Sequence, residues 1–185
     1  MRVPEDLHPD DTTHRHHLAA QLHAARDAAG ISAGRLAVAL GYRDHSGVRQ
    51  MERRHAWQAA TLQRWARALG QQVTFTLHDL TVPNDADTLA HIYTATLATQ
   101  DLDPVYVDLV VVRQAVNDLA RIRRHLMGAP EFGRRVDLDA TSVLWREANP
   151  DGVRISVLQQ TARALGGALT VGLTPAPARA ETVAA

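Results

Sequence analysis

The sequence predicts a mainly α-helical protein with two similar helical units in tandem, each followed by a short β-strand, and a helical linker between them. Three observations lead to this expectation. Apolar residues recur at helical spacing along most of the chain. Two short segments alternate apolar and polar residues, as strands do. The motif ARALG occurs twice, at Ala66–Gly70 and Ala162–Gly166, which are 96 residues apart.

The first unit is predicted over residues 14–78, after a polar tail of residues 1–13. Its first helix is expected from about His14 to Ala29. The histidines in this helix are more typical of an exposed helix face than of a metal site, so no metal or other cofactor is expected. These histidines are His14, His16, His17 and His23.

Two short helices and a longer one follow in the first unit. Leu36 and Leu40 give the inner face of a helix that ends at Gly41. Asp44 is the expected N-cap of the next helix, whose inner face includes Val48. The last helix of the unit ends at Gly70, and its inward residues are Leu62, Trp65, Ala66 and Leu69.

A strand is predicted at Val73–Leu77, and an acidic helical linker at residues 79–112 with a modest helix over Asp85–Thr99. A longer helical stripe runs from Val105 to Leu126 and leads into the second unit, residues 113–174. That unit ends in a second strand at Leu169–Leu173. Residues 175–185 are rich in proline and alanine, and we expect them to be disordered.

The pieces GIS, LAVALG, VRQMER and LQRWARALG of the first unit resemble the lambda-repressor-like helix-turn-helix family, also called the Cro/cI or XRE family. The resemblance implies a five-helix DNA-binding unit whose second motif helix enters the major groove. One departure is that Gly41 and Val48 are separated by one residue more than is usual in the family. In the second copy Val143 and Glu147 correspond to Val48 and Glu52 at an offset of 95 residues. This is one less than the offset of the ARALG repeat, so the turn of the second copy has the usual length.

Candidate DNA contacts in the first unit are polar or basic residues on and around the third helix. Gln50 suits adenine and Arg49 suits guanine in bidentate geometry, whereas the surrounding arginines would neutralise phosphates, although any one of them could be an ordinary surface charge. The candidates are Ser32, Arg35, Arg43, His45, Ser46, Arg49, Gln50, Arg53 and Arg54.

In the second unit Asp139 is the expected cap, and Trp145 falls at the position of Gln50. The indole can donate one hydrogen bond, pack on a thymine methyl or a sugar, or be buried, so base reading by this unit stays open. Thr141, Ser142, Trp145 and Arg146 are expected to point outward. The full candidate set is Arg134, Arg135, Thr141, Ser142, Trp145, Arg146, Asn149 and Arg154.

Charge is unevenly distributed although the net charge is zero. Residues 14–77 carry +6 and residues 113–185 carry +3, whereas residues 1–13 carry −3 and residues 78–112 carry −6. Two basic blocks favour a polyanion such as double-stranded DNA as the partner, and solvated helix faces are the alternative. No membrane partner is expected, because no apolar run is long enough to cross a bilayer.

Nothing in the sequence favours an enzyme. The chain has no cysteine and no lysine, so thiolate chemistry and a Ser–Lys pair are excluded. Asp137 and Asp139 are predicted to be a turn residue and a cap. The absence of cysteine fits a reducing compartment. We therefore expect the protein to be in the cytoplasm, either at the nucleoid of a bacterium or in a host cell infected by a phage.

Three functions compete. The first is a sequence-specific transcriptional repressor, such as a phage or mobile-element regulator. The second is an antitoxin that represses its own operator, with residues 78–112 binding a toxin. The third is a protein-interaction module that uses the helix-turn-helix as a scaffold. Because the two strands are equivalent in the repeat, we expect them to pair within one chain, giving a monomeric pseudo-dimer that reads an asymmetric site.

Overall fold

The computed structural model describes residues 8–54, 57–80 and 104–176. Within these residues the protein is mainly helical, as predicted, with eight α-helices and a two-stranded antiparallel sheet. None of the described helices is long and apolar enough to span a membrane. The first half of the molecule contains α1 (Pro9–Ala28), α2 (Ala33–Ala39), α3 (His45–Arg54), α4 (Ala59–Ala68) and β1 (Gln71–His78), so its described residues have four helices where the resemblance implies five.

The second half repeats this order of elements. It contains α5 (Pro104–Leu126), α6 (Ala129–Arg135), α7 (Ala140–Ala148), a 3-10 turn (Pro150–Gly152), α8 (Ile155–Ala164) and β2 (Ala168–Pro175). The long helix predicted from the stripe between Val105 and Leu126 is therefore confirmed. The helix predicted over Asp85–Thr99 lies outside the described residues.

Helix α1 begins at Pro9, five residues before the predicted start at His14. Asp10 and Asp11, two acidic residues of the predicted polar tail, instead lie in the first turn of this helix, and residues 1–7 of that tail lie outside the described residues. His8 is the N-cap and accepts a hydrogen bond from the Asp10 amide, and Pro9 occupies a first-turn position that needs no N–H. Carboxylates are favourable at this end of a helix because they oppose the positive end of its dipole.

The two halves are joined about a pseudo-twofold axis. Strands β1 and β2 pair antiparallel, as expected, and the central pair is Phe75 with Val171, which are equivalent positions at the repeat offset of 96 residues. Both strands extend beyond the predicted segments, because backbone pairing continues past the apolar alternation.

A second reciprocal contact lies on the same axis. The amide of Ala59 donates to the carbonyl of Val153 (2.9 Å), and the amide of Ile155 donates to the carbonyl of Trp57 (3.0 Å). Each of these bonds is the repeat image of the other. The same backbone contact is therefore made twice, once in each direction, as in a symmetric dimer.

Helix α1 crosses the axis and packs on the opposite half. Arg15 donates to Gln159 on α8 (2.7 Å), and Arg163 on α8 donates to Asp11 (3.0 Å). The ring Nε2 of His14 lies 2.9 Å from the amide nitrogen and 2.8 Å from the carbonyl oxygen of Val171 in β2. Buried apolar residues of both halves form one continuous core.

Candidate nucleic-acid interface

In the first half α2 and α3 are joined by a tight turn. Gly41 has a φ of 74°, and the amide of Tyr42 donates to the carbonyl of Ala37 (2.8 Å), which closes the end of α2. Leu36 on α2 and Val48 on α3 are buried between the two helices and the rest of the core. This packing fixes the face of α3 that remains outside.

The second half makes the same turn with one residue fewer. Asp137 takes the left-handed position with a φ of 53°, and the amide of Leu138 donates to the carbonyl of Gly133 (2.8 Å). A Cβ atom at Gly133 would collide with the carbonyl oxygen of Leu138. The equivalent residue in the first half is Ala37, whose turn contains the additional residue Arg43.

Both predicted caps are present. Asp44 Oδ1 accepts from the Ser46 amide (2.7 Å), and Asp139 Oδ1 accepts from the Ser142 amide (2.8 Å). Asp139 also accepts from the Ser142 hydroxyl (2.8 Å). These hydrogen bonds favour the charged carboxylate, so the pKa of Asp44 and the pKa of Asp139 both lie below the usual value for aspartate.

The outer face of α3 carries most of the predicted contacts of the first half. The exposed residues on this helix are His45, Ser46, Arg49, Gln50 and Arg53, and Arg43 is exposed in the turn before it. Ser32 caps α2 by accepting from the Arg35 amide (3.2 Å), and Arg35 is exposed on the same helix. Arg54 is the last residue of α3, and its side chain lies outside the described residues. This face combines side chains that can hydrogen-bond to the edges of DNA bases with several positive charges.

The outer face of α7 is different in character. Trp145 is 64% exposed and the neighbouring Leu144 is 52% exposed, so the most prominent side chains here are apolar. Thr141 and Arg134 are also exposed. Of the alternatives open for Trp145, burial in the core is therefore excluded, and this face has fewer charged groups than the face of α3.

Other candidates of the second half have structural partners. Arg135 donates to the Ala164 carbonyl (3.2 Å), and Asn149 donates to the Trp145 carbonyl (2.8 Å) at the end of α7. Arg154 lies in the backbone bridge opposite Gln58. A DNA contact by the side chain of Arg135 or Asn149 would have to coexist with its bond or replace it, whereas the bridge at Arg154 involves only the backbone.

The structure corrects the expected orientation of Arg146. This residue is half-buried and lines a cavity in the second half, whereas the sequence predicts it on the outer face. Its equivalent in the first half is Met51, also half-buried. Arg146 follows the buried Val143 by three positions, which puts both residues on the inner face of α7.

Two equivalent ion pairs, one in each half, were not predicted from the sequence. Arg26 on α1 pairs with Glu52 on α3 (3.3 Å), and Arg123 on α5 pairs with Glu147 on α7 through two contacts of 2.7 and 2.8 Å. Each arginine also donates to the backbone carbonyl just after its own helix, at Ile31 or Met127. The repeated glutamates Glu52 and Glu147 were the available signal for these pairs.

Within the described part of the chain no group of three or more potential metal ligands is present. Comparison with known proteins finds no matching family model, no matching curated protein and no matching solved structure.

Proposed function

We propose that the protein is a sequence-specific regulator of transcription that binds double-stranded DNA through two helix-turn-helix units in one chain. The observation that carries this proposal is the exposed face of α3. His45, Ser46, Arg49 and Gln50 leave the same helix whose inner face is fixed by Val48. Side chains on the first turns of such a helix are those that reach base edges in the major groove.

The pseudo-twofold arrangement supports binding to two half-sites by one molecule. In this proposal α3 and α7 are the reading helices, and related dimeric arrangements place such helices about one DNA turn apart. Because Arg49 and Gln50 are replaced by Leu144 and Trp145, the two half-sites would differ. The operator would then be asymmetric, with repression arising from occupancy of a promoter.

Selection of bound sites from random DNA tests this proposal directly. We expect one asymmetric sequence whose affinity falls steeply with salt, because phosphate contacts release counterions. Weak binding to all sequences, or no salt-dependent binding, would contradict it. Salt-independent capture of another protein with no DNA binding would instead favour the interaction module.

Substitutions on α3 separate base contacts from phosphate contacts. Arg49→Ala and Gln50→Ala should each weaken binding to the selected site by about 1–3 kcal/mol and change binding to random DNA little. Arg53→Ala is the matched comparison, since it should weaken both and reduce the salt slope by about one. Equal losses on both DNAs for Arg49→Ala and Gln50→Ala would reject base reading by α3.

A further inference from the structure

The second half contains a cavity that opens between α5, α6, α7 and α8. The space between its lining residues, including the open mouth, is about 490 Å³. The inner wall is apolar, with Leu119, Phe132, Val143 and Leu158 contributing to it.

At the equivalent positions of the first half two tryptophans are packed in the core. Trp57 and Trp65 are buried and meet edge to face, with ring centroids 6.4 Å apart and an interplanar angle of 70°. Their equivalents at the repeat offset are Val153 and Thr161, which both line the cavity. The second half therefore has small side chains lining a cavity at the two positions where the first half has buried indole rings.

A cation lies on the wall of this cavity. Arg146 stands where the first half has Met51, and its partial burial lowers the pKa of the guanidinium by desolvation. Within the residues that the structure describes, no carboxylate forms an ion pair with it. Glu147 also lines the cavity, but both of its oxygens bind Arg123 (2.7 and 2.8 Å).

An apolar cavity with one convergent charged group is the usual form of a small-molecule site. We propose that this cavity binds a small aromatic carboxylate, with its ring in the space filled by tryptophan in the first half and its carboxylate on Arg146. The ring would pack among apolar side chains, including Phe132. The guanidinium offers paired donors whose geometry matches a carboxylate.

The site is next to the exposed face of α7, since Arg146 follows Trp145 in the chain. If α7 contacts DNA as proposed above, ligand binding would alter affinity for the operator. That consequence rests on the proposed function. Binding of the acid itself does not, and it is measured without DNA.

Calorimetric titration of the full chain with benzoate, compared with the neutral benzamide, tests the site. We expect saturable binding of benzoate that raises the melting temperature, with benzamide weaker by about tenfold or more because it cannot form the ion pair. Arg146→Met, which installs the first-half residue, should remove the preference for the acid. Arg64→Met, an exposed arginine of the first half, is the charge-matched control and should bind benzoate normally.

Thr161→Trp restores the first-half residue and should block benzoate by filling the cavity. Val157→Phe narrows the same cavity and replaces that test if the tryptophan variant fails to fold. Absence of saturable binding, equal affinity for benzoate and benzamide, or unchanged binding in a folded cavity-filled variant would each overturn the proposal. Amide shifts on titration should centre on Val153 and Thr161, and shifts confined to α1–α4 would also reject it.

Discussion

A single carboxylate, Asp139, holds the first turn of α7 through the Ser142 amide and hydroxyl. Its pKa in the folded protein is lowered, chiefly by the hydrogen bond from that amide. Its contribution to stability is therefore complete above the unfolded pKa of about 3.9 and is lost as pH falls through the folded pKa. Asp139→Asn keeps an acceptor but does not titrate. We expect its melting temperature to fall less than that of the wild type between pH 5 and pH 2, and parallel acid curves would contradict this role.

Gly133 is a residue that the second half cannot exchange for alanine without strain. A Cβ there meets the Leu138 carbonyl oxygen, which belongs to the backbone of the turn and cannot move aside cheaply. Gly133→Ala should lower the free energy of unfolding by about 1–3 kcal/mol, as overpacking does. The matched change Ala37→Gly in the first half should lower it by only about 0.5–1 kcal/mol. Denaturant unfolding of both variants gives the comparison, and equal effects would reject the steric explanation.

The caps, the turn residues and the exposed face of α3 could be predicted from the sequence, because each of these features depends on residues that are close together in the chain. The inward position of Arg146 could also have been inferred from its spacing to Val143, but its charge favoured an outer position. The partner of each repeated glutamate was not predictable in the same way. Arg26 and Arg123 are separated by 97 residues, whereas Glu52 and Glu147 are separated by 95, so no single offset reveals the pairs.

At the scale of elements, helix α5 packs on the core through the same apolar stripe that predicts it in the sequence. Val112 is fully buried and Val116 nearly so. Val112→Asp should lower the free energy of unfolding by several kcal/mol, because it buries a charge without a partner. Gln114→Asp adds the same charge at an exposed position of the same helix and should have little effect. Thermal or denaturant melting measures both, and an unchanged melting temperature in Val112→Asp would show that the stripe is not core.

The helices with a sustained apolar period were predictable, since burial of one face sets that period. The start of α1 was not, because its first turn is stabilised by acidic residues and by contacts to α8 that are distant in sequence. Asp11 is buried against Arg163, 152 residues away. The cavity could not be predicted from the sequence either. It is seen only when the packing of the two halves is compared, and their sequences differ at most positions.

The whole molecule should be a monomer that binds one DNA duplex at one protein per site. The strands that could have paired between chains are paired with each other. The ring of His14 lies against the backbone of Val171, with Nε2 within hydrogen-bond distance of both its N–H and its C=O, which blocks a further strand from pairing at the middle of β2. Light scattering should give the mass of one chain, and titration of the selected site should saturate at one equivalent. A stable dimer on a palindrome would contradict both expectations.

The position of Phe75 opposite Val171 on the pseudo-twofold axis has an evolutionary consequence. In a homodimer one codon specifies both copies of every residue, so a substitution always appears twice and a change tolerated by only one copy is lost. Here the two sides of the axis are encoded separately. The two residues of the central pair differ, as do Gln50 and Trp145 and the pair Trp65 and Thr161. The side chains of each half can therefore change independently, while the reciprocal backbone hydrogen bonds between the halves are retained.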